Sequence, residues 1–120
     1  MVTALIVEDS LTDRERLSHY LQQSGITVVG VQSSEEALLR VQTEPPDMVF
    51  LDIVLPGQSG FEFCRDLKTN KHTQDIPVVI CSTKSTEADK LWGSMLGADA
   101  YLSKPIDQQQ LTETIQQVMS

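Results

Sequence analysis

The 120-residue sequence has no apolar stretch near the roughly 18 residues a membrane helix needs, and no basic start followed by an apolar core and cleavage site. Membrane insertion and secretion are therefore not expected, and a cytoplasmic location is. Cations are scarce: nine Lys and Arg stand against seventeen Asp and Glu, for a formal net charge of −8. Direct binding to nucleic acid or to an anionic membrane would need clustered Lys and Arg, so protein partners are expected instead. Cysteine is also scarce. Cys64 and Cys81 lie among apolar residues without CxxC spacing or a nearby His, and read as reduced, buried fillers rather than as a disulfide or a zinc site. No repeat, linker or low-complexity tract interrupts the chain, so residues 1–120 are read as one compact domain.

What the sequence does contain is a regular recurrence of short apolar runs: Ala4 to Val7, Val28 to Val31, Met48 to Leu51, Val78 to Cys81 and Ala100 to Leu102. Successive apolar positions, in place of alternation, predict strands covered on both faces, as in a parallel sheet. The intervening segments have helical spacing. Leu11, Leu17, Tyr20 and Leu21 form a stripe that Gly25 can end in a left-handed cap, and Leu111, Ile115 and Val118 mark a last helix. Ser33-x-x-Glu36 and Ser59-x-x-Glu62 fit capping boxes and predict helix starts near 34 and 60. Thr86-x-x-Asp89 is a looser version before a helix that carries Leu91, Met95 and Leu96 and stops at Gly97. Five strand–helix units with right-handed crossovers predict an α/β fold, a twisted parallel sheet with helices on both faces.

In such open sheets a ligand binds beyond the carboxyl ends of the strands, where strand order reverses. There the first strand ends in Glu8 and Asp9, the third in Asp52 and the fourth in Ser82, while the fifth leads through Ser103 to Lys104 and Pro105. Three carboxylates brought together raise each other's pKa unless a cation compensates. An oxygen-only set with room for water and phosphate suits Mg²⁺, with Mn²⁺ as a substitute, rather than zinc; His19 and His72 lie elsewhere. An Asp beside such a metal can attack phosphorus, with the metal and Lys104 neutralising the equatorial oxygens and Ser82 donating to one of them.

Several motifs carry a resemblance across the whole chain: Leu5-Ile-Val-Glu-Asp9; Val49-Phe-Leu-Asp52 followed by Pro56-Gly57 and Gly60-Phe61-Glu62; Ile80-Cys-Ser82; and Gly97-Ala-Asp-Ala-Tyr-Leu-Ser-Lys104-Pro105. The sequence resembles the receiver domain of bacterial response regulators. The resemblance implies a doubly wound, flavodoxin-like sheet of order 2-1-3-4-5, an order that the chemotaxis regulator of this group is known to have. It further implies that Asp52 is the phosphoacceptor for a histidine kinase. Glu8, directly or through water, and Asp9 would hold the metal with Asp52 and the backbone carbonyl of Val54. Ser82 would be the switch hydroxyl, Tyr101 the switch aromatic, Lys104 the partner of the phosphoryl group, and the Lys104–Pro105 bond cis. Phosphoryl transfer and dephosphorylation would be self-catalysed, so the domain is expected to be a signalling protein and not a conventional enzyme.

The stretch from Cys81-Ser-Thr-Lys84 through Asp89-Lys-Leu-Trp92-Gly93 is further similar to single-domain regulators of the PilH type, which serve chemotaxis-like control of type IV pilus motility. Thr83 departs from the Ala or Gly of many receivers, and Val54 and Lys84 replace polar or acidic groups that often steer the hydrolytic water. Phosphorylation would draw the Ser82 hydroxyl toward the added charge and let Tyr101 turn inward, altering the face made by the fourth helix, fifth strand and fifth helix. The alternative for Tyr101 is ordinary packing at the sheet edge with its hydroxyl in water. Output would pass to a downstream effector or a phosphotransfer protein, since the chain ends in its last helix without length for an output domain, unless it is cut from a longer protein. A relay or phosphate sink, and an unphosphorylated interaction module, are alternatives. A haloacid-dehalogenase-like phosphatase is disfavoured, because Asp52 is followed by Ile53 and Val54 and not by the second Asp of Asp-x-Asp.

Overall fold

A computed structural model describes all of residues 1–120. Strands and helices alternate: β1 (Thr3–Val7), α1 (Leu11–Gln23), β2 (Thr27–Val31), α2 (Ser34–Thr43), β3 (Met48–Leu51), α3 (Gly60–Thr69), β4 (Val78–Ser82), α4 (Glu87–Met95), β5 (Ala100–Ser103) and α5 (Gln108–Met119). All pairings are parallel and the strand order is β2-β1-β3-β4-β5, the expected 2-1-3-4-5. No helix is long and apolar enough to cross a membrane.

The continuous apolar runs have a simple cause, because alternate residues of each inner strand serve two separate cores. Ala4 and Ile6 of β1, Met48 and Phe50 of β3, and Val79 and Cys81 of β4 pack with Leu17 and Leu21 of α1 and Leu111 of α5. Leu5, Val7, Val49, Leu51 and Val78 face the other way, onto Ala37 and Val41 of α2 and Phe63, Cys64 and Leu67 of α3. Both cysteines are free and buried, and burial pushes the Cys64 thiol up to about 11. Each fully buried aliphatic side chain contributes about 1.5–3 kcal/mol, so two apolar cores pin the central strands firmly.

Helix starts match the expected positions, but the capping chemistry is distributed differently. Ser33 and Ser59 each accept from the N–H three residues on, Glu36 and Glu62, yet the Glu36 carboxylate takes the Gln32 N–H in place of the cap's own. The reciprocal box forms only at Thr86 and Asp89. Leu11 also departs from the expected stripe and is exposed, leaving Leu17 and Leu21 as the buried pair of α1. Gly25 and Gly97, at φ 80° and 101°, provide the left-handed turns after α1 and α4.

On α4 the apolar residues face outward. Leu91, Trp92 and Met95 are exposed, while Asp89 and Gly93 are the residues turned inward. Gly93 explains the orientation: a Cβ there would lie 3.0 Å from Ile80 Cδ1 and 3.1 Å from a Tyr101 ring carbon. The bare backbone is what lets α4 settle on β4 and β5.

Candidate functional site

The chain leaves β1 and β3 in opposite directions, which opens a crevice between two neighbouring strands held in register at Val7 and Leu51. Glu8 and Asp52, the next residues, are therefore side by side. The Glu8 N–H donates to Val31 and that of Asp52 to Val7, so backbone bonds fix both residues. From α1, Arg14 reaches back to the Glu8 carbonyl at 2.7 Å. Below Asp52, α3 begins at Gly60, whose N–H donates to the Ile53 carbonyl at 3.1 Å.

One oxygen from each of Glu8, Asp9 and Asp52 lies within 4.8 Å of the others. Glu8 and Asp52 are buried and Asp9 is exposed at the mouth. Lys104, just beyond β5, extends over this cluster. Its ammonium donates to Glu8, to Asp13 Oδ2 at 2.9 Å and to Asp52 Oδ2 at 3.0 Å. The other Asp52 oxygen accepts from the Val54 N–H at 3.2 Å.

One ammonium does not compensate this many carboxylates. Burial pushes the Glu8 pKa up, aided by the Asp52 charge, even though Lys104 and the Ser10 N–H oppose it. For Lys104 burial works toward proton loss, but its bonds to Glu8, Asp13 and Asp52 outweigh burial and hold its pKa above the ordinary lysine range. The two directions agree physically: a lysine shared by three acids keeps its proton, while a buried acid with a third of a lysine stays under-neutralised. A small divalent cation with an appetite for oxygen fits that deficit, and the donor set is carboxylate throughout.

Ser82 ends β4 fully buried, and its Oγ accepts from the Lys84 N–H at 3.2 Å. Tyr101 of β5 is half-buried and its hydroxyl donates to the Lys84 carbonyl, so the ring is tied to the β4–α4 loop. Burial, with the charges of Asp89 and Asp52, pushes its phenol up to about 12. The Lys84 side chain completes this junction by pairing with Asp89, whose carboxylate also accepts from Thr86. Lys84 and then Thr86 hold the Asp89 pKa below its usual value. The Lys104–Pro105 peptide bond is cis. Val54 places its side chain in solvent, and His19 and His72 are exposed away from the cluster.

Sequence reading missed Asp13. It lies one turn into α1, and nothing in its spacing from Asp9 announces a contact with a residue 91 positions away. Together with Glu8, Arg16, Thr83 and Lys104 it lines a cavity of about 230 Å³ beside the cluster.

Comparison with known proteins agrees with this geometry. The family described as "Response regulator receiver domain" matches residues 4–116. Protein PilH of Pseudomonas aeruginosa is 39% identical over 120 residues, covering 100% of this chain and 99% of its own. The phosphate regulon transcriptional regulatory protein PhoB of Escherichia coli is 36% identical over 115 residues, 96% of this chain but 50% of that protein. Among solved structures, the chemotaxis response regulator CheY4 of Vibrio cholerae superimposes with a TM-score of 0.90 at 30% identity, covering 98% of each chain. The chain belongs to the response regulator receiver domain family.

Proposed function

We propose that this protein accepts a phosphoryl group on Asp52 from a histidine kinase and passes the signal to a protein partner. The observation that carries this reading is the pairing of an oxygen-only cluster, Glu8, Asp9 and Asp52 within 4.8 Å, with a lysine 3.0 Å from Asp52. Glu8, Asp9, Asp52 and the Val54 carbonyl would hold Mg²⁺, which when bound supplies positive charge to the transferring phosphoryl oxygens. A carboxylate oxygen of Asp52 forms the new P–O bond while the donor's bond to phosphorus breaks and the donor leaves with that electron pair. Lys104, already within reach of Asp52, neutralises charge on the phosphoryl oxygens.

The Ser82 hydroxyl turns toward the phosphoryl group and gives up the Lys84 N–H, which loosens the loop that Tyr101 grips. The altered surface is that of α4, β5 and α5, where Leu91, Trp92 and Met95 are already exposed. The similarity to PilH favours a cytoplasmic, single-domain role in pilus motility or taxis, with an effector or a phosphotransfer protein as the receiving partner.

The test is intact mass after incubation with acetyl phosphate, in Mg²⁺ and in chelator. A gain of ~80 daltons, one phosphoryl group on an aspartate, is expected with Mg²⁺ alone and is lost in Asp52→Asn. A gain that persists in Asp52→Asn would refute the assignment.

A further inference from the structure

We propose that Asp13 is a positioning residue of this site, one that holds the Lys104 ammonium on the α1 side and adds negative charge that an anionic phosphodonor must approach. The inference rests on the phosphoacceptor reading above and assigns a role to a residue outside the Glu8, Asp9, Asp52 set.

Three acids share Lys104, but they are not equivalent. Glu8 and Asp52 belong to the oxygen cluster that would take a metal, whereas Asp13 does not. A cation drawing on Glu8 and Asp52 would therefore leave Asp13 as the acid still paired with Lys104. Asp13 is also well anchored. It is the third residue of α1, and its N–H donates to Ser10 Oγ at 3.3 Å.

Its position decides whom it affects. The Asp13 side chain is 37% exposed against 11% for Lys104, so it stands on the rim and Lys104 behind it. The rim opens on the cavity that Thr83 and Arg16 also line, a path by which a donor can approach. Glu8, Asp9, Asp13 and Asp52 with Lys104 carry three formal negative charges. A divalent cation reduces this to one, and neutralising Asp13 would remove the last. A doubly negative donor such as acetyl phosphate should feel that difference at short range, and salt should screen much of it.

The experiment measures acetyl phosphate-driven phosphorylation of wild type, Asp13→Asn, Asp13→Ala and Asp13→Glu, with Mg²⁺, at low and high ionic strength. Asp13→Asn keeps an oxygen acceptor for Lys104 and loses only charge, so KM should fall about five- to tenfold at low salt with kcat little changed. The gap should narrow at high salt. Asp13→Ala should lower kcat as well, because Lys104 loses its anchor, and Asp13→Glu should restore the wild-type KM. Affinity for beryllofluoride, an anionic phosphoryl mimic that needs no turnover, should tighten in Asp13→Asn by a similar factor. An unchanged or higher KM in Asp13→Asn, or a gain insensitive to salt, overturns the proposal while leaving Asp52 phosphorylation standing. No phosphorylation of the wild type would overturn the underlying reading instead.

Discussion

Two lysines stand at the carboxyl edge of the sheet in opposite surroundings. Lys104 has a side chain 11% exposed and is divided among Glu8, Asp13 and Asp52, whereas Lys84 is 54% exposed and holds Asp89 alone. The first lies over strands whose side chains are buried on both faces, so its geometry is dictated by the cores beneath. The second sits in a loop held by single contacts: its N–H to Ser82, its carbonyl from Tyr101 and its ammonium to Asp89. One part of this edge is built to keep charges in place, and the other rests on a few separate contacts that can be lost one at a time. On the function proposed above, a local change at Asp52 would spread most easily toward α4.

The contrast can be broken most severely from beneath Asp52. A methyl group at Gly60 would fall 2.1 Å from the Asp52 carbonyl oxygen and 2.5 Å from Ile53 Cα, both backbone atoms that cannot step aside. Gly60→Ala should cost about 3 kcal/mol in urea unfolding; a wild-type midpoint would mean that α3 slides and the site floor is soft. Next is Lys104→Met, which leaves the acids of a largely buried cluster without their cation. A loss on the order of 2 kcal/mol is expected in chelator, with partial recovery in Mg²⁺. Failure of Mg²⁺ to restore stability would remove the charge-deficit argument.

On the open side the effects should be local. Lys84→Met should speed amide exchange through the first turn of α4 while the global unfolding midpoint barely moves, since exposed ion pairs contribute little. A matching loss of global stability would show that the loop is held as firmly as the acid cluster. The smallest effect sharpens the same point through pH. Asp89 has a depressed folded pKa, so its contribution is present above the ordinary carboxylate range and is lost as pH falls through the depressed value. In Lys84→Met the α4 turn should loosen at higher pH than in wild type, because only Thr86 then holds the Asp89 pKa down. Coincident profiles would show that Lys84 does not set the Asp89 pKa.

The central strands were legible because burial on two faces writes itself as unbroken apolar runs, and Met48 to Leu51 is the strand β3 as found. Glu8, Asp9, Asp52 and Lys104 were legible because topology brings strand ends together whatever their separation in the chain. The outward face of α4 was not. Leu91 and Met95 have the spacing of a core stripe, but the helix turns on what β4 and β5 can accommodate, and Gly93 beside Tyr101 decides it. The division of capping labour was hidden for a related reason: Ser-x-x-Glu permits a reciprocal box, and whether the Glu closes it depends on competing N–H groups such as that of Gln32. Asp13 was missed because the direction a lysine side chain takes is a tertiary property.

The reach of Lys104 also has a temporal side. It lies 96 positions after Glu8 and 52 after Asp52, so a chain synthesised from its N-terminus completes the acidic half of the site long before its cation exists. Until β5 docks on β4, those carboxylates face one another without an ammonium and resist being brought together. Chemical competence is then among the last properties the nascent protein acquires. A polypeptide halted after β4 would possess Glu8, Asp9 and Asp52 but not the lysine that reaches over them, and on the function proposed above it would not yet be equipped to take part in signalling.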